Sequence, residues 1–348
     1  MVSRKKKKRG LGINKKSALK SSRDERVSEE VVKKYSKKLE LVRKEISKAV
    51  IGQDDAVNRL ISALLCNGHV LLQGVPGIAK TLLVRSLAEV TGSKAERIQF
   101  TVDLLPADIT GITTYTPNKG FETIKGPLFA NFVIADEINR SPPKTQSALL
   151  QAMQEKEVTI GKQTFKLPSP FFVMATQNPI ESSGVYNLPE AQIDRFLFKL
   201  IMGYPKPFEE KTIIEENTTL RKFSDINFKA IVTPGEILKM QEEVKKVYAS
   251  NKIKQYIVDI VQKTRDKNFK EGAFIEWGGS PRASISLYIA AKAQAFMNGR
   301  TYVTPKDVKD VAHDVLRHRI MLSYKAQSEG ITPDIVIKKI LEREVSVP

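Results

Sequence analysis

Short apolar runs alternate with longer helical repeats through the first part of the chain. Sequence with helical spacing separates the runs, as between residues 144 and 156. Buried strands of a parallel sheet are short and apolar because helices cover both of their faces. The pattern therefore predicts an α/β fold with a parallel sheet. The predicted strands lie at residues 69–72, 98–102, 131–135, 171–175 and 196–201.

The segments around these strands predict further elements. Apolar positions from Tyr35 to Ala49 repeat at helical spacing, and Ser28 is a plausible N-cap for that helix. Residues 158–167, with Gly161 and Lys162 at their centre, predict a small hairpin. Residues 104–121 are rich in Thr, Pro and Gly and have no long period, which predicts an inserted, exposed loop.

Helical spacing continues from about residue 205 to the C-terminus. Several of these helices are expected to begin at a proline, since proline is favoured in the first helical turn. The sequence therefore predicts two domains, an α/β domain over residues 28–204 and a smaller all-α domain over residues 205–348.

The positive charge is concentrated near the N-terminus. The net charge of the 348 residues is +18, of which residues 1–50 carry +12. Residues 4–9 are all lysine or arginine. We expect residues 1–27 to form a basic, disordered tail that can contact anionic surfaces such as nucleic acid or lipid. A solvated tail with no specific partner is the favoured alternative.

The composition also limits the compartment and the chemistry. No apolar run is long enough to span a bilayer, and the charged N-terminus has no secretory signal. A single cysteine, Cys66, excludes an intramolecular disulfide and fits a reducing, cytoplasmic location. Three scattered histidines and one cysteine cannot form a zinc site, and His69 is expected to be a strand-edge residue.

A glycine-rich turn with a lysine and a threonine lies between a predicted strand and a predicted helix. It meets the pattern G-x-x-x-x-G-K-[ST] except at Ala79, where we expect a right-handed backbone. The N–H groups of such a turn bind phosphate, Lys80 is predicted to reach the β- and γ-phosphates of ATP, and Thr81 to ligate Mg²⁺. A turn in which the glycines have only a structural role is the weaker alternative. The predicted nucleotide-contacting residues are Gly74, Val75, Pro76, Gly77, Ile78, Ala79, Lys80, Thr81 and Leu82.

Polar residues follow two later strands. Asp136 and Glu137 end one apolar run, and Asn178 ends the next. Beside a phosphate loop, Asp136 is predicted to complete the Mg²⁺ shell through water, and Glu137 to polarise the water that attacks the γ-phosphate. Asn178 could orient that water, although an asparagine before Pro179 is also ordinary turn chemistry.

Two arginines complete the predicted site. Arg195 opens the last predicted strand and could reach a neighbouring subunit's nucleotide as an arginine finger. Its alternative is a surface salt bridge to Asp194 or Glu190. Arg282 lies in the first turn of a predicted helix, where the helix dipole disfavours a cation, so it should have an anionic partner. The γ-phosphate is a candidate for that partner.

These motifs together resemble the MoxR family of AAA+ ATPases from about Tyr35 to the C-terminus. Ala79 is typical of that family, and the departures at Gln73 and Gly279 carry no chemistry. The basic extension before Val31 lies outside the resemblance. The matching segments are Asp-Leu-Leu-Pro-Ala-Asp-Ile-Thr-Gly at 103–111, Gly-Pro-Leu-Phe-Ala-Asn at 126–131, Ala-Asp-Glu-Ile-Asn-Arg at 135–140, Ala-Thr-Gln-Asn-Pro at 175–179 and Ser-Pro-Arg-Ala at 280–283.

The resemblance implies an AAA+ P-loop core with strand order 5-1-4-3-2 and a small helical lid. It implies that Gly52 and Gln53 lie near the adenine, that Asn178 is sensor 1, Arg195 the trans arginine finger and Arg282 sensor 2. It also implies a homo-oligomeric, hexameric ring with ATP and Mg²⁺ as cofactors. Members of the family are thought to be chaperone-like remodellers that mature enzyme complexes or load metal cofactors, often with a von Willebrand A domain partner.

Three functions are compatible with this site. The leading one is an ATP-hydrolysing ring that remodels a partner protein. A DNA-acting AAA+ motor or loader shares the fold, but the net charge after residue 50 is only +6 and aromatic residues are sparse, which argues against a dedicated nucleic-acid site. A nucleotide-dependent switch that barely hydrolyses ATP is disfavoured because Glu137 and Arg195 are present.

Overall fold

The computed structural model describes residues 26–75, 77, 80–117, 120–178, 185–217 and 223–348. Its helices are α1 (Glu29–Ile46), α2 (Asp54–Leu65), α3 (Lys80–Val90), α4 (Pro106–Thr110), α5 (Pro143–Glu155), α6 (Glu190–Ile193), α7 (Pro207–Asn217), α8 (Pro234–Lys245), α9 (Asn251–Lys263), α10 (Pro281–Met297), α11 (Pro305–Leu316), α12 (Tyr324–Ser328) and α13 (Pro333–Lys339). Its strands are β1 (Val70–Gly74), β2 (Ala95–Gln99), β3 (Gly111–Thr116), β4 (Gly120–Lys125), β5 (Phe132–Asp136), β6 (Glu157–Ile160), β7 (Gln163–Lys166), β8 (Phe172–Gln177), β9 (Phe198–Met202), β10 (Ile275–Trp277) and β11 (Met321–Leu322).

A five-stranded sheet with the order β2-β5-β8-β1-β9 forms the centre of the first part of the chain. All four pairings in it are parallel. Numbered in chain order, its strands follow the order 5-1-4-3-2, which confirms the α/β class and the strand order that the resemblance implied. The carboxyl ends of β1, β5 and β8 therefore lie side by side at one end of the sheet.

The strands bury alternate residues in two different cores. Leu72, Ile134 and Met174 pack into a cluster with the helices α1, α2 and α3, and their neighbours Val133 and Val173 pack into a second cluster with α5. Successive strand residues point to opposite faces, so both faces need apolar side chains. This requirement explains why the central strands are continuous apolar runs.

The N-terminal helix begins as predicted. The N–H of Val31 donates to Ser28 Oγ at 3.3 Å, and α1 starts at Glu29. Most of the predicted tail, residues 1–25, lies outside the described residues. Arg26 and Val27 are packed, however, because Val27 is buried and the Arg26 guanidinium lies 4.2 Å from the ring centroid of Tyr248. For these two residues the predicted tail boundary is wrong.

The prediction of an exposed loop over residues 104–121 is also wrong. This segment contains the short helix α4, and the antiparallel strands β3 and β4 follow it. Tyr115 pairs with Phe121 across the strands, and their ring centroids are 5.3 Å apart. Cross-strand aromatic pairs of this kind stabilise a hairpin. The predicted hairpin at 158–167 is confirmed as β6 and β7, with Gly161 at a φ of +60°.

Strand β2 lies three residues earlier than predicted, at Ala95–Gln99 rather than 98–102. It is an edge strand in which Glu96, Arg97 and Gln99 are not buried, so it has no continuous apolar run. Phe100, which attracted the sequence-based prediction, is buried just after the strand ends.

Helices dominate from α7 to the C-terminus, as the sequence predicts, with one short addition. Strands β10 and β11 pair antiparallel within this part. Its apolar core is continuous with the sheet face that carries α1, α2 and α3. Within the described ranges, the chain contains no helix with the length and hydropathy that a bilayer crossing requires.

Candidate functional site

The residues predicted to bind phosphate and Mg²⁺ lie at one end of the central sheet. Lys80 begins α3 after β1, Asp136 is the last residue of β5, and Asn178 directly follows β8. Strand β8 lies between β5 and β1, so these residues come from three adjacent strand ends. Ligands of open α/β sheets bind at this edge, where helix N-termini point at the ligand.

The described part of the phosphate loop is open to a ligand. Gly77 has a φ of +84°, which favours glycine, and nothing lies within 4 Å of the position that a Cβ would occupy. The Lys80 ammonium donates a hydrogen bond to the Gly74 carbonyl at 2.7 Å and so lies over the loop. Pro76, Ile78 and Ala79, with the expected right-handed backbone at Ala79, lie outside the described residues.

Both oxygens of the Asp136 carboxylate have partners. Thr176 Oγ1 donates to Oδ1 at 2.6 Å. The Arg97 guanidinium donates to Oδ2 twice, from Nε at 3.1 Å and from Nη2 at 2.7 Å. The register pairs Gln99 with Asp136, which brings the side chains of edge strand β2 to this end of β5. Asp136 is therefore held between two neighbouring strands.

Glu137 adopts a left-handed backbone, with φ 56° and ψ 48°. This conformation is strained for a residue other than glycine, and such strain concentrates at functional sites. The Glu137 N–H donates to Thr176 Oγ1 at 2.8 Å, and Gln99 Nε2 donates to Glu137 Oε2 at 2.8 Å. Arg140 forms an ion pair with the same oxygen at 3.3 Å. Its backbone conformation and these contacts with Gln99 and Arg140 together fix the position of the Glu137 carboxylate.

The oxygen donors at this edge fit Mg²⁺. Magnesium is bound in proteins by one or two oxygen ligands together with water and phosphate, rather than by an all-protein cage. The Thr81 hydroxyl at the start of α3 and the Asp136 carboxylate are ligands of this kind. The described residues contain no group of three or more His, Cys, Asp or Glu side chains that could hold a metal by themselves.

A cleft of ≈ 630 Å³ adjoins the phosphate loop, lined by Gly52, Gln53, Tyr204 and residues of α7 and α11. It lies beside the loop because Gly74 at the end of β1 pairs with Met202 at the end of β9. Gly52 has a φ of +72°, and a Cβ there would lie 2.7 Å from Glu209 Oε2. The cleft is therefore positioned to receive a base and ribose whose phosphates lie on the loop.

Arg195 and Arg282 lie at the opposite end of the sheet. Arg195 precedes β9, and the nearby Leu197 N–H donates to the carbonyl of His69, the residue just before β1. Strand β1 has five residues and therefore spans about 16 Å between this end and the phosphate loop. An arginine side chain is shorter than this span, so neither arginine reaches the phosphate loop of its own chain.

Asp194 organises this second end of the sheet. It forms an ion pair with Arg282 at 3.6 Å and with the buried Arg319 at 2.7 Å, and Ser280 Oγ donates to it at 3.3 Å. Arg282 therefore has the anionic partner that its place in the first turn of α10 requires. Among the described residues, Arg195 is exposed and has neither of the salt bridges, to Asp194 or to Glu190, that were its alternative. A cavity of ≈ 260 Å³ lies between these arginines.

His69 is a structural residue at the start of β1, as expected. Its Nδ1 accepts a hydrogen bond from the Val173 N–H at 3.1 Å, and its Nε2 lies 3.2 Å from the Met153 carbonyl oxygen. A neutral ring with the proton on Nε2 satisfies both contacts. Burial lowers the pKa of His69 to about 4, so the ring is neutral near pH 7.

Comparison with known proteins decides the family. The family model described as "ATPase family associated with various cellular activities (AAA)" matches residues 69–198, and that of the AAA lid domain matches residues 271–340. Chaperone MoxR1 of Mycobacterium tuberculosis is 48% identical over 304 residues, which are 86% of this chain and 79% of that protein. The chain belongs to the MoxR family of AAA+ ATPases.

Two further proteins are similar to this chain over most of its length. YeaC of Bacillus subtilis is 45% identical over 304 residues, covering 87% of this chain and 92% of YeaC. A crystal structure of a Cytophaga hutchinsonii protein has a TM-score of 0.86 and 45% identity, covering 92% of this chain and 98% of that one. The predicted family, fold and ATPase activity are confirmed, and the chain is a chaperone-like AAA+ ATPase.

The sequence-based prediction missed three side chains of this MoxR site: Arg97, Gln99 and Thr176. Each holds Asp136 or Glu137 through a contact between neighbouring strands. The strand order places β2 and β8 on either side of β5. The polar residues near the ends of these two strands could have indicated that they belong to the site. Their contacts, however, depend on the register between the strands, which the sequence pattern does not give.

Proposed function

We propose that this MoxR protein is a ring-forming, Mg²⁺-dependent ATPase whose complete active sites form between neighbouring subunits. The observation that carries the proposal is the placement of Arg195 and Arg282 at the end of the sheet opposite Lys80, Asp136 and Glu137. In a head-to-tail assembly, one end of each subunit faces the other end of its neighbour. The arginines of one copy then lie beside the phosphate loop of the next.

Each group at such an interface has a defined role in phosphoryl transfer. Lys80 and the loop N–H groups would bind the phosphates, and Thr81 and Asp136 would hold Mg²⁺, which would offset negative charge on the phosphate groups. Glu137 accepts a hydrogen bond from the attacking water and polarises it, and Asn178 orients that water. Arg195 and Arg282 of the neighbour stabilise the charge that develops on the γ-phosphate.

The work done by this ATPase is proposed to be the remodelling of a partner protein. In this proposal, residues 28–204 form the nucleotide-binding domain and residues 205–348 the lid that moves with nucleotide state. The chaperone name of MoxR1 and the modest net charge after residue 50 support a protein client rather than DNA. Three points remain predictions from the family resemblance: a hexameric ring, a partner with a von Willebrand A domain, and a role in maturing enzyme complexes or loading metal cofactors.

Mixing two inactive variants tests the shared site. Arg195→Ala should lose most turnover, because an arginine finger is worth about 10³–10⁵ in rate. Glu137→Gln should also lose most turnover, because an amide cannot polarise the attacking water as a carboxylate does. In mixed assemblies, some interfaces pair an intact Glu137 with an intact Arg195 of the neighbour, so part of the activity should return. Arg282→Ala should be rescued by Glu137→Gln in the same way.

Light scattering and subunit-exchange measurements serve as the control, since the two variants must occupy the same assembly. No rescue at any mixing ratio, in assemblies shown to contain both variants, would contradict a site shared between subunits. The Glu137→Gln assembly loaded with ATP can then be used to capture its client from a lysate. Recovery of nucleic acid rather than protein would favour the DNA-acting alternative.

A further inference from the structure

Arg97 occupies the carboxylate oxygen of Asp136 that faces the neighbouring edge strand. A carboxylate oxygen has two acceptor positions. The Nε and Nη2 groups of Arg97 both donate to Oδ2, at 3.1 and 2.7 Å. Thr176 takes one position of Oδ1. A hydrated Mg²⁺ ion therefore finds Oδ2 already hydrogen-bonded.

The two partners differ greatly in exposure. The Asp136 side chain is 13% exposed, whereas the Arg97 side chain is 52% exposed. A buried carboxylate without a partner is strongly disfavoured, so Asp136 needs a cation when no Mg²⁺ is near. Half of the Arg97 side chain is already in water, so its guanidinium can be hydrated if it leaves Asp136. Exchange of Arg97 for another cation is therefore easier than exposure of Asp136.

Arg97 also connects Asp136 to Glu137. The same Nη2 donates to Gln99 Oε1 at 2.7 Å, and Gln99 Nε2 donates to Glu137 Oε2. Asp136, Arg97, Gln99 and Glu137 therefore form one continuous chain of hydrogen bonds. If Arg97 leaves Asp136, Gln99 loses its hydrogen bond from Arg97. Gln99 is the side chain that donates to Glu137.

We propose that Arg97 is a positioning residue that competes with hydrated Mg²⁺ for Asp136 Oδ2. The inference rests on the assignment of Asp136 to the Mg²⁺ site in the proposed function. Arg97 holds the carboxylate in its binding orientation before nucleotide arrives. A divalent cation repels the guanidinium and takes over the carboxylate, so Arg97 moves into solvent when Mg²⁺ and nucleotide bind.

The direction in which Arg97→Met shifts the half-saturating Mg²⁺ concentration separates two models. In one, Arg97 competes with Mg²⁺ for Asp136; in the other, it orients Asp136 also while Mg²⁺ is bound. Binding of a fluorescent, non-hydrolysable ATP analogue is followed as free Mg²⁺ is varied, and the half-saturating Mg²⁺ concentration is recorded. Competition predicts that Arg97→Met lowers this concentration, by roughly three- to tenfold for the loss of one partly exposed ion pair. An unchanged or raised concentration would overturn the proposal, since a permanent orienting group must weaken Mg²⁺ binding when it is removed.

Two controls separate competition from a general change in charge. Lys94→Met removes a cation that directly precedes β2, the edge strand that also carries Arg97, and Lys94 pairs with Glu96 at 2.9 Å. It should shift the Mg²⁺ midpoint by less than twofold, and an equal shift in both variants would overturn the competition. Arg97→Lys keeps the charge but loses the paired donors, so its midpoint should lie between wild type and Arg97→Met. This variant also provides the test if Arg97→Met does not fold.

A double-mutant cycle locates the effect at Asp136. In an Asp136→Asn background, Arg97→Met should no longer change the Mg²⁺ midpoint. Persistence of the full shift would show that Arg97 acts elsewhere and would overturn the proposal. If Asp136→Asn alone leaves the Mg²⁺ dependence unchanged, the assignment of Asp136 in the proposed function fails, and the competition fails with it.

Discussion

Asn178 is predicted to act in the hydrolysis step rather than in ATP binding. It directly follows β8, is 8% exposed and lies at the same sheet edge as Lys80 and Glu137. If its amide orients the attacking water, Asn178→Ala should lower turnover about a hundredfold and leave ATP affinity within a few-fold of wild type. Single-turnover hydrolysis and equilibrium binding measure the two effects. An equal loss of affinity and turnover would assign Asn178 to the strand-end turn.

Gly52 makes a prediction about the cleft beside the phosphate loop. Its φ of +72° disfavours a side chain, and so does the 2.7 Å that would separate an alanine Cβ at this position from Glu209 Oε2. Gly52→Ala should therefore shift this backbone and weaken ATP binding by about tenfold, the effect of roughly 1.4 kcal/mol. Gly203→Ala is the matched control, because it lines the same cleft and its Cβ meets nothing within 4 Å. Equal affinities of the two variants would place the base elsewhere.

Spacing along the chain was sufficient to predict some site residues and not others. Lys80 and Thr81 follow a strand and glycines in a fixed local pattern, so the sequence alone indicates their chemistry. Arg97 and Gln99 act through Asp136 and Glu137, which are far away in sequence. Only the pairing of β2 with β5 brings these groups together, and a propensity pattern carries no information on that register.

Strand β1 depends on a buried histidine at its start. Burial lowers the pKa of His69 to about 4, against an ordinary value near 6.5. Between these pH values the unfolded chain binds a proton that the folded chain does not, so the free energy of unfolding falls as the pH drops. The loss is at most about 3 kcal/mol for this ring. His318 contributes in the same direction, since its burial and the neighbouring Arg319 also lower its pKa.

Replacing His69 should flatten this pH dependence. His69→Gln keeps a donor and an acceptor near Met153 and Val173 but cannot be protonated. Urea unfolding should show a lower stability than wild type at pH 7.5 and a smaller fall between pH 7 and pH 5. Part of the fall should remain because His318 is still present. An unchanged slope would mean that the ring at position 69 is not the proton-linked group.

The elements that the sequence predicted poorly share a physical cause. Apolar runs identified β1, β5 and β8 because these strands are buried on both faces. The edge strand β2 and the hairpin β3–β4 are exposed on at least one face, so their side chains are mixed and the apolar signal is weak. The strand order was implied by the family resemblance and did not follow from periodicity.

Arg319 links the helical part of the chain to the sheet. It is 7% exposed and donates to Asp194 and to the carbonyls of Phe196 and Leu197, just before β9. Arg319→Met leaves Asp194 without its main partner and should lower the free energy of unfolding by about 3–5 kcal/mol. Arg195→Met is the control in urea unfolding: an exposed arginine without a described partner should change stability by less than about 0.5 kcal/mol. Equal effects would mean that Arg319 contributes little.

The separation of the two sheet ends sets how many working sites an assembly can have. In the proposed function, a subunit with its phosphate loop at one end and its arginines at the other completes no site alone. In an open string of n copies, the two terminal subunits each keep an unmatched end, so only n − 1 sites are complete. Closure into a ring supplies the missing one. Activity per subunit should therefore rise steeply with protein concentration and then level off, so dilution alone would silence the enzyme without any inhibitor.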